Sequence, residues 1–386
     1  MTVPGPTARP RGGVAPPATR TDRTRRAALL RRRRWTVGIV CAGLLLVVGV
    51  WVAAVAGHDP GPPAARPPAR TTVTPRYTNP VIDHDFPDPD VVHTGSTYVA
   101  LSTGTGGLDV PMETSTDLVH WRSRGDVLPA PPSWAVHSWQ YVWAPDLVPV
   151  RGGWVLWFAA KDARSGRQCI GVASSPSVSG PFRSTSDEPT ICQTSLGGSI
   201  DPFEFVDSHG HRWLLWKNDG NCCGVLSQIW SQPLAADGVA LTGTATPILS
   251  YDGGWEDGGP PDESTIEGPD MIEVDGAYHL FFSGGGYATA GYAVGHARCT
   301  SPVGPCQTTS PYPVLASFGT VAGPGGESIF RGGGGTLWMA YAAWTQPEVG
   351  PGSGGARSMR IDRLTFIGAL PVVSGPTTTP VSLVGS

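Results

Sequence analysis

Charged side chains are scarce in this sequence of 386 residues, and lysine is almost absent. Only 15% of the residues are charged, and the two lysines are Lys161 and Lys217. Residues 1–34 contain ten arginines and one acid, so the rest of the chain carries 17 basic and 30 acidic side chains, a net charge of −13. An acidic body of this kind argues against nucleic acid as a partner.

The cysteines lack the spacing of a zinc site. No Cys-x-x-Cys pair or matching histidine pair accompanies them, and six of the seven follow residue 57. In proteins that work outside the cytoplasm, an even number of cysteines suggests disulfides. Six cysteines allow fifteen connectivities. We favour Cys299–Cys306 as a local loop closure and Cys169–Cys192 across one repeat. Cys222 and Cys223 remain either a vicinal bridge or two thiols.

Glycine and proline are abundant, and the chain repeats itself. The 52 glycines and 39 prolines favour short strands and many turns. Five segments each combine an acid, a short apolar run, a glycine turn and an aromatic-rich run. Their turn glycines, spaced by 58, 57, 66 and 59 residues, are Gly95, Gly153, Gly210, Gly276 and Gly335. A glycine turn before such a run indicates a hairpin, and repetition at this period indicates propeller blades. The sequence therefore predicts an all-β fold, a five-bladed β-propeller.

An acid precedes each of the five turns. At 7, 7, 9, 9 and 8 residues before them stand Asp88, Asp146, Asp201, Glu267 and Glu327. The innermost strand of every blade lines the central channel, so acids at the beginning of these strands should converge on one cavity. Paired carboxylates are what cleavage of a glycosidic bond requires.

The N-terminal region is built differently. Residues 1–34 offer few core-forming side chains and predict a basic, disordered arm. Residues 35–57 carry no charge and, as a helix, would span roughly 35 Å, enough for a bilayer core of about 30 Å. The arginines at 31–34 place the arm in the cytoplasm and the remainder outside. A cleaved signal peptide is the alternative, because Ala54-Val-Ala56 resembles a cleavage site.

These features divide the chain into five parts. A single transmembrane helix over 35–57 follows the arm, and a proline-rich linker over 58–78 acts as a spacer. The propeller is expected over 79–375, with a C-terminal tail over 376–386. The protein is expected to be a monomer at the cell membrane with an extracytoplasmic propeller, or secreted if the segment is cleaved.

Four motifs carry a resemblance to a known family. In chain order they are Asn79-Pro-Val-Ile-Asp-His-Asp-Phe-Pro-Asp-Pro-Asp90, Trp143-Ala-Pro-Asp146, Ser199-Ile-Asp-Pro202 and Glu267-Gly-Pro269. Over about residues 79–370 they resemble the motif set of glycoside hydrolase family 43, five-bladed propellers that hydrolyse arabinosyl and xylosyl linkages with inversion. The resemblance implies that Asp88 is the general base and Glu267 the general acid. It also implies that Asp201 orients the acid and raises its pKa.

The residues agree with such chemistry independently. An inverting hydrolase needs a base and an acid about 6.5–9.5 Å apart so that a water fits between them. A third carboxylate can keep the acid protonated near neutral pH. For substrate binding we single out Trp143, whose face can stack on a sugar ring, together with Asp85 and Arg357. Asp146 is interpreted as a residue that ties its blade together.

The sequence departs from the family in the fifth blade. Many relatives carry a histidine in a Gly-x-Gly-His segment that can hold a calcium-linked water cluster at the channel floor. Here the segment is Gly323-Pro-Gly-Gly-Glu327. No cofactor is therefore expected, and a central calcium, although possible in the family, is not assigned.

Two other functions compete with an inverting hydrolase. An inert carbohydrate-binding propeller could dispense with Asp88 or Glu267, yet both are present. A retaining sucrose- or fructan-processing propeller would show an Asn-Asp-Pro-Asn segment and a Glu-Cys acid, and neither occurs. We therefore expect a glycosidase acting on arabinose- or xylose-containing glycans, with arabinofuranosyl linkages preferred over xylosyl ones.

Overall fold

The computed structural model describes residues 75–184, 186–260 and 263–383. The predicted arm 1–34, the predicted transmembrane helix 35–57 and the linker up to residue 74 lie outside these described residues. Within the part of the chain that the structure describes, no helix is long and apolar enough to cross a membrane.

The described residues form β-strands joined by turns. A first short strand, β1 (Arg76–Tyr77), precedes the blades. Blade 1 contains β2 (Asp90–Thr94), β3 (Thr97–Leu101), β4 (Pro111–Ser115) and β5 (Arg122–Asp126). Blade 2 contains β6 (Val142–Val150), β7 (Gly153–Lys161) and β8 (Gln168–Ser175). Blade 3 contains β9 (Ser199–Val206), β10 (Arg212–Asn218), β11 (Gln228–Leu234) and β12 (Thr246–Ser250).

The last two blades follow the same plan. Blade 4 contains β13 (Ile266–Val274), β14 (Ala277–Gly284), β15 (Ala293–Cys299) and β16 (Cys306–Thr308). Blade 5 contains β17 (Val321–Arg331), β18 (Leu337–Thr345), β19 (Ser358–Ile367) and β20 (Leu370–Val373), and a final strand is β21 (Val381–Ser382). Single 3-10 turns lie at Trp139–Tyr141, Thr194–Leu196, Asn221–Cys223, Gly254–Glu256 and Gly333–Gly335.

Each blade is an antiparallel meander whose strands pair in chain order. The first strand of each blade contacts the first strand of the next, and β17 contacts β2, so these five strands enclose a central channel. The predicted all-β, five-bladed propeller is thereby confirmed. The hairpins form as the glycine turns predicted: Asp275 and Gly276 both have positive φ, 51° and 74°, as a two-residue type I′ turn requires.

Five apolar clusters fill the spaces between neighbouring blades. Successive side chains on a strand point to opposite faces. Leu280 and Phe282 therefore pack against blade 3, while Phe281 packs against blade 5. Because both faces of each sheet are covered, the second strands read as continuous apolar and aromatic runs. Trp157 and Trp216, both fully buried, belong to the cluster between blades 2 and 3.

Both ends of the described chain join the propeller. Strand β1 pairs with β21, and the Asn79 side chain donates to the Ile361 carbonyl at 2.8 Å and accepts from the Ile361 amide at 2.9 Å. Blade 1 is thus attached to blade 5 by the segment before it. The domain consequently takes in strands on both sides of the predicted limits 79–375.

Three disulfides form among the six cysteines. Cys169 and Cys192 are bonded in blade 2, and Cys299 and Cys306 connect β15 to β16. Both predicted pairs are therefore confirmed. The pair left open, Cys222 and Cys223, is a vicinal bridge in the 3-10 turn after β10.

Candidate active site

One residue with left-handed backbone stands at the same place in every blade. The φ angles of these five residues are 49°, 43°, 53°, 57° and 58° for Asp88, Ala144, Asp201, Gly268 and Gly326. Proline follows the first four of them. Strand register shifts beside this position in blades 2 to 5. Such bulges re-aim a side chain locally and are common beside active sites.

Asp88 is held by one group from blade 5 and one from its own blade. Its Oδ1 accepts from Arg357 Nη2 at 2.9 Å, and its Oδ2 accepts from the Thr103 hydroxyl at 2.6 Å. The Thr103 hydroxyl in turn accepts from the Ala144 amide of blade 2 at 2.8 Å. The Asp88 side chain remains about a quarter exposed, at 26%. Each carboxylate oxygen has two acceptor sites, so Asp88 can still accept a proton from a water in the channel.

Glu267 lies between a buried cation and a buried phenol. Lys217 Nζ is 3.0 Å from its Oε2, and the Tyr292 hydroxyl donates to its Oε1 at 2.7 Å. Lys217 is only 1% exposed and also lies 3.9 Å from Asp219. Both carboxylate oxygens of Glu267 are thus fixed, which sets the direction in which the group faces the channel.

Asp201 is connected to Glu267 through the backbone. Its Oδ2 accepts from the amide of Gly268, the residue after Glu267, at 2.9 Å. Burial and the nearby Glu267 charge together raise the pKa of Asp201 to about 7, although the Lys217 cation opposes the shift. Neighbouring buried carboxylates titrate as a unit. Asp201 can therefore hold a proton near neutral pH.

A single cavity of about 870 Å³ contains all the residues predicted to form the site. Its lining includes Asp85, Asp88, Trp143, Asp201, Glu267 and Arg357. The three predicted catalytic acids come from blades 1, 3 and 4, far apart in sequence. Convergence of the acids on one channel is what the repeat predicted.

The three residues singled out for substrate binding have contacts of their own. Arg357 reaches the channel from blade 5, but its guanidinium pairs with Asp88 and lies 5.4 Å from the centre of the Tyr287 ring. Asp85 accepts from the Arg357 amide at 3.0 Å and from the Thr105 hydroxyl at 2.9 Å. Trp143 donates its indole N–H to the Gln140 carbonyl at 2.8 Å. A substrate role for these three side chains stays a prediction.

The five acids identified before the turns are not structurally equivalent. Asp146 stands two residues after the left-handed position, where blades 1 and 4 have Asp90 and Asp270. Each joins its blade to the next: Asp90 accepts from the Leu147 amide at 2.9 Å, Asp146 from the Glu204 amide at 2.9 Å and Asp270 from the Ile329 amide at 2.6 Å. Asp146 therefore links blade 2 to blade 3.

Buried carboxyl groups surround the channel below the site. Burial raises the pKa of Asp90 to about 7 and raises the pKa values of Asp146, Asp270 and Glu327 well above their usual range. Among the described residues, Asp270 Oδ1 and Glu327 Oε1 have no hydrogen-bond partner. Neutral, protonated carboxyls tolerate such burial far better than carboxylates do.

The residues of this channel do not fit a histidine-held central ion. A Cβ at Gly326, where the family histidine would stand, would come 2.5 Å from Asp88 Oδ1 and 3.2 Å from Arg357 Nη2. The Arg357 cation already compensates the charge of Asp88. Among the described residues, the cluster with metal-like spacing is Asp162, Cys169 and Cys192, and its two cysteines are bonded to each other.

Sequence reasoning missed the residues that hold the acids. Lys217, Tyr292 and Thr103 contact Glu267 or Asp88 directly, and none was singled out as a site residue. For Lys217 a signal existed, because it is one of two lysines in the chain and lies near the end of a strand that pairs with the Asp201 strand. Tyr292 and Thr103 lie outside every motif, and nothing in the sequence distinguishes them.

The comparisons with known proteins point to one family. The model of "Glycosyl hydrolases family 43" matches residues 77–368. The chain is 26% identical over 267 residues to the extracellular endo-α-(1→5)-L-arabinanase 1 of Bacillus subtilis, covering 64% of this chain and 77% of that protein. It is 25% identical over 292 residues to the β-D-galactofuranosidase xynD of Aspergillus niger, covering 71% of this chain and 78% of that protein.

Solved structures share the fold. A thermostable family-43 glycoside hydrolase superposes with a TM-score of 0.68 at 26% identity, covering 79% of this chain and 98% of that one. An α-L-arabinofuranosidase from Lactobacillus brevis superposes with a TM-score of 0.62 at 19% identity, covering 75% of this chain and 94% of that one. The second likeness shows the fold alone.

Proposed function

The chain belongs to glycosyl hydrolase family 43, and from this premise we propose that it cleaves α-L-arabinofuranosyl linkages with inversion of configuration. The observation that carries the proposal is the meeting of Asp88, Asp201 and Glu267 in one cavity. Each comes from a different blade, and each has its own fixed partners. A carbohydrate-binding propeller without catalysis would not need two separately oriented acids.

Asp88 acts as the general base. Arg357 and Thr103 orient its two oxygens, and the partial exposure of the side chain leaves room for a water. Arg357 pairs with Asp88, and Asp88 accepts a proton as that water attacks the anomeric carbon. Asp85 supports this arrangement by fixing the Arg357 backbone.

Glu267 acts as the general acid on the opposite side. A chain of contacts connects it to Asp88: Tyr292 donates to Glu267, and Arg357, the partner of Asp88, is 5.8 Å from the Tyr292 ring centre. These side chains keep the two carboxyls apart, as an inverting reaction requires. Asp201 orients Glu267 through the Gly268 amide, and Glu267 gives its proton to the departing oxygen.

The sugar is proposed from the relatives. The Bacillus subtilis protein is named an arabinanase and the Aspergillus niger protein a galactofuranosidase, and both names refer to furanosides. Xylosyl linkages are the alternative, since solved structures named as a xylanase and a xylosidase share the fold. Trp143 is proposed to stack on a sugar ring at the cavity edge.

The catalytic domain is proposed to work outside the cell, tethered by residues 35–57. Support comes from the uncharged run after the arginine cluster, and one relative is named extracellular. Protease added to intact cells should release an active fragment of roughly residues 60–386. Activity confined to the cytosol would refute the tether, and active protein free in the medium would indicate cleavage instead.

Purified protein should be assayed on dye-linked arabinan, dye-linked xylan and nitrophenyl pentosides. We expect hydrolysis of arabinofuranosyl substrates by the wild type and none by Asp88→Asn. Binding without hydrolysis by the wild type on every substrate would instead favour a carbohydrate-binding propeller.

A further inference from the structure

The vicinal disulfide forms part of the wall of the active-site cavity. Strand β10 ends at Asn218, and the 3-10 turn Asn221–Cys223 follows it before β11. Cys222 is exposed and lines the same cavity as Glu267. The other two disulfides do not line that cavity. An exposed bridge beside catalytic acids calls for a role other than core stability.

The turn is braced from behind. The Asp219 amide donates to the Gly198 carbonyl at 3.1 Å. A Cβ at Gly197 would come 2.1 Å from the Asp219 carbonyl oxygen, so the turn packs directly on the Gly197 backbone. Arg167 Nη1 lies 3.5 Å from Cys222 Sγ on another side. These contacts fix the face that the turn presents to the cavity through Cys222.

The disulfide lies on the acid's side of the cavity. Lys217, which contacts Glu267 at 3.0 Å, also lies 3.9 Å from Asp219, three residues before Cys222. Asp88 and Arg357 belong to blades 1 and 5 instead. Since the acid protonates the oxygen of the leaving group, the sugar that leaves must occupy the space beside this turn.

A disulfide offers an apolar, polarisable surface with no hydrogen to donate. Sulfur in this form makes favourable contacts with flat or apolar groups, and sugar sites combine apolar walls with a few polar groups. We propose that the Cys222–Cys223 disulfide is a substrate-contacting wall of the leaving-group subsite, against which the C–H face of the departing pentose packs. This inference rests on the proposed function and adds a specificity determinant to it.

Ligand protection tests the contact without altering the bridge. In Glu267→Gln protein, which should bind without turnover, the rate at which a phosphine reduces Cys222–Cys223 is followed by alkylation and mass spectrometry. Saturating arabino-oligosaccharide should slow that reduction several-fold and leave Cys299–Cys306 unaffected. Oligosaccharide that binds, as measured by calorimetry, yet gives no protection would overturn the inference. Failure to bind any pentose oligosaccharide would instead count against the proposed function.

A variant series gives an independent measurement. Cys222→Ser/Cys223→Ser in the Glu267→Gln background should bind the oligosaccharide roughly tenfold more weakly. Cys299→Ser/Cys306→Ser is the matched control, because it loses one buried bridge away from the cavity and should keep the original affinity. Equal affinity in both double variants would show that the vicinal bridge serves the fold alone.

Discussion

Replacement of Lys217 by methionine removes the one cation that the structure places on Glu267. Its Nζ lies 3.0 Å from Glu267 and 3.9 Å from Asp219, and the side chain is 1% exposed. Methionine keeps the length of the stem but leaves the acids without their counter-charge. Removing one member of a buried ion pair costs about 3–5 kcal/mol. We expect a loss of that size in the free energy of unfolding at pH 8.

The loss should depend on pH in a defined direction. Burial raises the pKa values of Asp219 and Asp201, and Lys217 lowers both. Without the cation these values rise further above those of the unfolded chain. An acid with a higher pKa in the folded state opposes folding as it ionises, so the penalty grows as pH rises. The destabilisation should be clearly smaller at pH 5 than at pH 8.

Urea unfolding at pH 5 and pH 8 measures both the loss in the free energy of unfolding and its dependence on pH. Lys161→Met is the matched control, because Lys161 is the only other lysine in the sequence. Its Nζ lies over the Tyr141 ring, 4.4 Å from the ring centre, a cation–π contact worth about 0.5–1 kcal/mol. Removal of the Lys217 cation should also move the alkaline limb of the pH–rate profile to higher pH. A Lys217→Met protein as stable as Lys161→Met at pH 8, with an unchanged profile, would refute the reasoning.

Three further predictions concern the acids and a buried histidine pair. Asp88→Asn and Glu267→Gln should each lower kcat about 10²–10⁴-fold while the domain stays folded, and an aryl pentoside with a good leaving group should partly restore Glu267→Gln but not Asp88→Asn. Asp201→Asn removes a negative charge beside the acid, so the alkaline limb of its pH–rate profile should move to lower pH; an unmoved limb would exclude that role. Burial lowers the pKa of His296 to about 3 and also lowers the pKa of its partner His279, 3.0 Å away. Below about pH 6.5 the two histidines bind protons in the unfolded chain that they do not bind in the folded one. The free energy of unfolding should therefore fall by up to about 1.4 kcal/mol per pH unit per histidine as the pH is lowered. Urea unfolding of His296→Gln should show a flatter dependence of this free energy on pH between pH 6.5 and 4.

The propeller was predictable because its signal is repeated. A single run such as Gly276-Ala-Tyr-His-Leu-Phe-Phe-Ser283 is compatible with several folds, but five copies at a blade-sized period are not. Both faces of every blade are buried, so the second strands carry long apolar and aromatic runs that are readable without an alignment. The disulfides Cys169–Cys192 and Cys299–Cys306 were also predictable, because the cysteines of each pair are close in sequence.

The register of the inner strands was not predictable to the residue. Counting back from the turns treated Asp146 and Asp201 as equivalents, but a bulge inserts residues differently in each blade. Asp146 therefore accepts a hydrogen bond from the next blade, whereas Asp201 faces the channel. A proline follows the left-handed residue in these blades, at Asp88, Ala144 and Asp201. Aligning the repeats on that proline would have placed these three residues at equivalent positions.

The partners of the acids depend on contacts between blades. Lys217 of blade 3 meets Glu267 of blade 4 across 50 residues, and Arg357 of blade 5 meets Asp88 of blade 1 across 269. No local pattern encodes such contacts, because they arise from the closure of the ring. The rarity of lysine was visible in the sequence, yet its meaning for Lys217 required the position of Glu267.

The anomeric configuration of the first product tests the central claim most directly. If Asp88 activates a water that attacks the anomeric carbon while Glu267 protonates the leaving oxygen, one displacement occurs and the configuration inverts. Proton NMR during early turnover of an α-L-arabinofuranosyl substrate should show the β-anomer of arabinose first, with the α-anomer appearing only by later mutarotation. Initial appearance of the α-anomer would mean a covalent intermediate and would contradict the roles assigned to both acids.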